Sequence, residues 1–260
     1  MDHRARKRFG QNFLTDPVYI QQIIDTINPS AGELILEIGP GQAALSGPLA
    51  QSEAELHLLE IDRDLAARLQ ERFGLDGRAT VHTADALTVD FSRVTSGRPF
   101  RLVGNLPYNI STPLLFHVLQ WSDLIVDMHF MLQREVVKRM AAIPGTKAWG
   151  KLSVMCQLYC EVLPLFDVPP EAFSPAPRVE SSFVRLIPRA QPPVVINDLV
   201  VFRQLVTQSF SMRRKTLRNC LKGLLDEDQI LLVGIDPGAR AETLGLEQFA
   251  ALANLLESGD

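Results

Sequence analysis

Two periods of apolar residues alternate along the first two thirds of the chain, and each predicts a different element. Ile20, Ile23, Ile24 and Ile27 fall at i, i+3, i+4 and i+7, the spacing of one helix face. Asp16-Pro17 just ahead of them supplies an N-cap and a first-turn proline. Short apolar runs follow at Leu34–Ile38, Leu56–Ile61, Thr80–Ala84, Phe100–Val103 and Met128–Leu132. Runs of this kind read as strands covered on both faces. Between them lie helical patterns at Ala44–Ala50, Asp64–Phe73, Thr112–Gln120 (with Ser111 as its cap) and Glu135–Ala142. Strand–helix alternation with short links predicts an α/β fold, a Rossmann-like doubly wound parallel sheet, with ligands at the carboxyl ends of the strands.

The pattern then changes. Pro169, Pro170, Pro175 and Pro177 crowd the stretch Val168–Arg178 into a rigid loop, and a strand is expected over Ser182–Ile187. Pro188–Pro193 reads as a linker. Helical periodicity returns at Leu199–Phe210, Lys215–Leu225 and Leu246–Leu256. The chain is therefore expected to divide into an α/β domain over residues 1–189 and a small all-helical domain over 190–260.

Chemistry collects at the expected strand ends. Glu37-Ile38-Gly39-Pro40-Gly41-Gln42-Ala43-Ala44 joins the first sheet strand to its helix, and glycines there let backbone approach a ligand closely. Glu60 ends the second strand, 21 residues after Gly39, where a carboxylate can accept both ribose hydroxyls. Asp85 ends the third, placed to accept from an adenine amino group. These three ends describe an adenosine-containing ligand, and both NAD and S-adenosylmethionine fit them. After the fourth strand comes Asn105-Leu106-Pro107-Tyr108. Pro107 stiffens this loop. The loop offers an amide, carbonyl oxygens and an aromatic ring together, which suits the edge and face of an adenine. A hydride-transfer enzyme needs no such group, and no evident pyrophosphate seat exists beyond the helix N-terminus. Both points favour the sulfonium cofactor.

Composition narrows the class further. With 46% hydrophobic and 22% charged residues and no apolar stretch long enough to span a bilayer, the chain is expected to be soluble, without a membrane partner, and cytoplasmic. Its basic start, Met1–Gly10, lacks the apolar core of a secretory signal. Three cysteines without C-x-x-C spacing and five scattered histidines argue against disulfides and against a metal site; Cys156 and Cys160 are expected to share a buried helix face. Net charge is −4, yet it is segregated: from Arg203 to Lys222 there are six basic residues and no acid. Arg213, Arg214, Lys215 and Arg218 are the candidates to meet phosphates.

Together, Lys7-Arg8-Phe9-Gly10-Gln11-Asn12-Phe13-Leu14, Glu37-Ile38-Gly39-Pro40-Gly41, Asn105-Leu106-Pro107-Tyr108-Asn109 and Pro175-Ala176-Pro177-Arg178-Val179 resemble the ribosomal RNA adenine N6-dimethyltransferase family. The likeness spans nearly the whole chain, including Arg213–Asn219, and is greatest to the bacterial small-subunit branch. It implies a class I S-adenosylmethionine-dependent methyltransferase domain followed by a helical domain that binds RNA or the ribosome. It implies that Asn12, Leu14, Gly39, Glu60, Asp85 and Asn105 line the cofactor pocket. Asn105, Leu106 and Tyr108 would hold the target adenine, with Phe173 on its other face. The implied substrate is a pair of adjacent adenosines near the 3′ end of 16S rRNA, in the small (30S) subunit or its precursor, and the implied setting is subunit biogenesis. A large-subunit methylase and a non-catalytic assembly or transcription factor retaining the fold are the alternatives. Two departures stand out. DNA adenine methylases commonly have D-P-P-Y where this chain has Asn105-Leu106-Pro107-Tyr108, and Ala43 replaces the third glycine of E-x-G-x-G-x-G.

Overall fold

The computed structural model of the chain describes residues 12–75, 77–212 and 214–257. Phe13–Leu14 forms a short strand, β1, and leads into α1 (Pro17–Ile27). The Asp16 carboxylate caps α1 by accepting from the Val18 N–H at 2.8 Å, and the helix buries Ile23 and Ile27. Asn28, in the left-handed region at φ 47°, ends it.

Alternation follows as the apolar runs require: β2 (Leu34–Ile38), α2 (Ser46–Leu49), β3 (Glu55–Glu60), α3 (Arg63–Leu69), β4 (Thr80–Thr83), α4 (Phe91–Val94), β5 (Phe100–Asn105), α5 (Ser111–Val118), β6 (Ile125–Gln133) and α6 (Arg134–Met140). Every residue of β2 is buried, the burden of a strand covered on both faces. Beyond α7 (Lys151–Tyr159) come β7 (Cys160–Val168), β8 (Phe173–Ser174) and β9 (Ser181–Pro188). The main sheet has the order β4-β3-β2-β5-β6-β9-β7. The pairs from β4 to β6 are parallel, whereas β6 and β9 run antiparallel. The sheet is thus mixed rather than wholly parallel. Strand order reverses between β2 and β5, which makes a crevice at their carboxyl ends.

One ion cluster braces the opposite end of these strands. Asp127 of β6 is buried and accepts from Arg101 Nε at 2.8 Å and Arg185 Nη2 at 2.7 Å. Arg101 also donates to the Ile27 carbonyl at 2.7 Å and to Glu33 at 2.9 Å. Burial alone would raise the Asp127 pKa, but these cations hold it below the usual carboxylate range.

The chain separates into two compact units. One takes the residues up to Val137 together with Leu163–Pro188; the other takes Lys138–Val162 and everything from Arg189 on. The units thus differ from a simple division at residue 189, since Lys138–Val162 groups with the C-terminal residues. Bonds that periodicity does not reveal hold it there. Buried Trp149 donates from Nε1 to the Leu244 carbonyl at 2.9 Å, and Gly145 N–H donates to the Glu242 carbonyl at 2.7 Å. This second unit also contains α8 (Leu199–Ser209), α9 (Leu217–Cys220), α10 (Glu227–Leu232) and α11 (Leu246–Glu257). The Phe210 and Phe249 rings meet with centroids 5.6 Å apart.

Three local expectations change. Cys160 begins β7 instead of continuing the helix of Cys156; both thiols are buried, and burial pushes that of Cys160 up to about 12. The helix expected over Lys215–Leu225 contracts to the four residues of α9, with Gly223 at φ 90° beyond its end. In α2, only Ser46–Leu49 is helical of the Ala44–Ala50 expected, because Ala43 turns left-handed just before it.

Candidate active site at the strand ends

The crevice at the carboxyl ends of β4, β3, β2 and β5 is lined by residues that end or follow each strand, including Gly39, Glu60, Asp85, Asn105, Leu106 and Tyr108, and by Asn12 and Leu14. After β2 the backbone curls through three left-handed residues: Gly39 (φ 64°), Gly41 (φ 55°) and Ala43 (φ 67°). Ala43 thus adopts the conformation that favours glycine, at the position where the family pattern has one. Gly41 is required twice over. Its φ is positive, and a Cβ there would come within 3.0 Å of the Phe13 ring.

Glu60 ties this turn to β3. Its Oε2 accepts from the Gly41 N–H at 3.1 Å, and its Oε1 from the Asp62 N–H at 2.9 Å. Burial raises its pKa, while the two amides pull the other way. Glu37 also lines the crevice, as an acid within an otherwise apolar strand. Burial pushes its carboxyl up to about 8, opposed by the hydroxyl of Ser46, which donates to Oε2 at 2.6 Å. In the sequence Glu37 stands out only as a charge within a run whose residues are all buried. Asp85 caps its own turn, accepting from the Leu87 N–H at 2.9 Å.

The Asn105–Tyr108 loop is held at each residue. Gly104 has no room for a side chain, since a Cβ would lie 2.7 Å from the Ile38 carbonyl oxygen. Asn105 Nδ2 donates to the Asn12 carbonyl at 3.0 Å, so the amide nitrogen is engaged and Oδ1 is left as an acceptor. Leu106 is buried and its N–H donates to the Met131 carbonyl at 3.2 Å. Pro107 offers its carbonyl to the Ser111 hydroxyl at 3.0 Å. Tyr108 Oη meets Ser181 Oγ at 2.5 Å, and burial raises the phenol pKa.

Phe173 is the expected site residue that the structure does not bring to the crevice. It pairs with Leu14 across the β1–β8 ladder, and its side chain is only 4% exposed, within a core cluster with Leu14, Ile23 and Phe183. The proline-rich loop therefore works as a brace. Its Ala172 carbonyl accepts from the Thr15 N–H at 2.8 Å, holding Asn12–Leu14 against the crevice.

Charge distinguishes the ligands this crevice suits. Among its described lining residues, Glu37, Glu60 and Asp85 are acidic and none is basic. Burial keeps Glu37 neutral near pH 7, so Glu60 and Asp85 carry the negative charge. A pyrophosphate would meet it without a compensating cation, whereas a sulfonium and an α-ammonium group would meet complementary charge. S-adenosylmethionine fits. Among the described residues, no group of three or more His, Cys, Asp or Glu is arranged to hold a metal ion, and no helix is long and apolar enough to cross a membrane. In the other unit, Arg214, Lys215 and Arg218 are exposed, and Arg218 lies 3.7 Å from Glu227. Arg213 and Lys7–Gln11 lie outside the described residues.

Known proteins match this arrangement over most of their length. A family model described as ribosomal RNA adenine dimethylase matches residues 2–258. A ribosomal RNA small subunit methyltransferase A from Photorhabdus laumondii is 50% identical over 256 residues, covering 98% of this chain and 94% of its own. Its namesake from Enterobacter sp. is 49% identical over the same shares. Among solved structures, a dimethyladenosine transferase from Plasmodium falciparum has the same fold, with a TM-score of 0.74, 24% identity and coverage of 92% and 95% of the two chains. The 23S rRNA methyltransferase ErmE gives 0.73 at 27% identity, covering 95% and 100%. With a cleft built for S-adenosylmethionine and a family model matched almost end to end, the chain belongs to the ribosomal RNA adenine dimethylases.

Proposed function

We propose that the chain dimethylates N6 of two adjacent adenosines near the 3′ end of 16S rRNA, within the small ribosomal subunit or its precursor, in the cytoplasm. The observation that carries the chemistry is the half-buried Asn105, whose amide nitrogen is already bonded to Asn12 while its oxygen remains available at the crevice. The 49–50% identity to small-subunit methyltransferases supports the choice of subunit.

When bound, S-adenosylmethionine supplies an electrophilic methyl group on a positively charged sulfur. Glu60 and Asp85 would hold its ribose hydroxyls and adenine, and Gly39 lets the backbone come close. The chain's own task lies at the acceptor. The adenine N6 lone pair is delocalised into the ring, so the nitrogen is a poor nucleophile. Asn105 Oδ1 and the Leu106 carbonyl accept its two hydrogens. Positive charge developing on nitrogen then meets oxygens that are already oriented, and one such preorganised group is worth roughly 3–4 kcal/mol. No strong general base is required, because the nitrogen becomes acidic only as it alkylates. Positioning supplies much of the remaining acceleration.

The target base must leave its stack to reach this loop. Stacking on Tyr108 offsets part of that cost, on the order of 1–3 kcal/mol per base. Arg213, Arg214, Lys215 and Arg218 provide phosphate contacts from the other unit. Incorporation of tritiated methyl groups from S-adenosylmethionine into purified small and large subunits, with the labelled nucleoside mapped, tests the proposal. N6,N6-dimethyladenosine confined to the small subunit is expected. Label confined to the large subunit would overturn the assignment.

A further inference from the structure

The first residues of β9 are pinned one by one. Glu180 offers its carbonyl to the Arg134 N–H at 3.0 Å, and its carboxylate pairs with the Arg134 guanidinium. That guanidinium also reaches Asp167 at 3.0 Å, and Asp167 accepts from the Ser182 hydroxyl. Ser181, between them, turns to the opposite face, as strand alternation requires. It is fully buried, it opposes Gln133 of β6, and its hydroxyl meets Tyr108 Oη at 2.5 Å. A buried hydroxyl without a partner is costly, and Tyr108 is the hydrogen-bond partner Ser181 Oγ has among the described residues. The bond therefore ties the crevice loop to a strand that is itself clamped by Arg134 and Asp167.

We propose that Ser181 is a positioning residue: through the Tyr108 hydroxyl, it holds in place the ring that faces the target base. The inference rests on the reading of Tyr108 as the stacking surface and adds what holds that surface still. A tyrosine ring attached only at Cβ can swing about χ1; anchoring its far end, the hydroxyl on the χ2 axis, removes that swing. A serine 73 residues away in sequence thereby sets the acceptor geometry without touching the substrate.

A double-mutant cycle on the full chain tests this. Single-turnover methyl transfer to small subunits is measured for Ser181→Ala, Tyr108→Phe and the double variant, with cofactor affinity by calorimetry and melting temperature alongside. Each single change should slow transfer about 5–20-fold, since a small misplacement is amplified in the transfer step. The double variant should be no slower than the slower single, because both remove one bond. Cofactor affinity should stay within about twofold. Two results would overturn the proposal: slowing in the double variant equal to the product of the singles, or a Ser181→Ala protein that melts lower yet transfers at the parent rate. Tyr108→Ala separates the two layers. Parent-like transfer in that variant removes the stacking reading itself. Slow transfer there, with unaltered Ser181→Ala and Tyr108→Phe rates, removes only the role of Ser181.

Discussion

The Asn105–Tyr108 loop and the basic stretch ending at Lys222 are the two most conspicuous segments of the sequence, and the structure treats them in opposite ways. In the loop, Asn105, Leu106, Pro107 and Tyr108 each have a bond to a named atom, and Gly104 is wedged against the Ile38 carbonyl. In the basic stretch, Arg214, Lys215 and Lys222 stand exposed, and the nearest carboxylate to Arg218 is 3.7 Å away, on Glu227. The difference follows from what each partner demands. Stabilising charge on a single nitrogen requires oxygens fixed before the reaction. Contacting a phosphate backbone requires cations free to adapt and counterions to release.

This contrast sets the order of expected effects. Asn105→Ala should lower methyl transfer by about 10²–10³-fold with the fold retained, read as kcat on isolated small subunits with circular dichroism as the control. A variant within twofold of the parent would erase the contrast. Neutralising Arg214, Lys215 and Arg218 together should weaken RNA binding and flatten the log–log salt dependence by about 2, with little effect on transfer at saturating substrate. An unchanged slope would make the stretch an ordinary solvated surface.

A smaller effect concerns Glu37. Its folded pKa of about 8 lies above the ordinary carboxylate value, so the folded chain keeps a proton that the unfolded chain releases. Stability should therefore fall as pH rises from the unfolded carboxylate value towards about 8, then level off. In Glu37→Gln that decline should be reduced, so the variant gains on the parent between about pH 5 and pH 8 in parallel thermal melts. The smallest effect is at Ala43. Glycine relieves the left-handed backbone but loses a buried methyl, and the two oppose each other at about 1 kcal/mol each. Ala43→Gly should shift stability by less than about 1 kcal/mol in denaturant titrations.

The parallel part of the sheet was legible because its strands are buried runs bounded by turn residues. β7 was not, since Pro164 lies within it and argues against a strand; it is tolerated because β7 is the last strand of its sheet. β6 is longer than the apolar run suggested, because Asp127 interrupts the run and is neutralised by Arg101 and Arg185, which come from other strands. Gly39, Glu60, Asp85 and Asn105 meet at the crevice because Glu60 and Asn105 close their strands and Gly39 and Asp85 lie within two residues of theirs, positions that the apolar runs mark. The family resemblance assigns Phe173 to the target base; the pairing of β8 with β1 puts its side chain in the core. The Tyr108–Ser181 bond spans 73 residues, and no local pattern encodes it.

Under the proposed function the strand ends divide the labour, with Glu60 binding the donor and Asn105 stabilising the transfer. The most direct test measures cofactor affinity by calorimetry and single-turnover rate at saturation for Glu60→Gln and Asn105→Ala, side by side. Glu60→Gln should weaken affinity about 10–100-fold and keep most of the rate, whereas Asn105→Ala should keep affinity and lose the rate. The same pattern in both variants, or the reverse assignment, would contradict it.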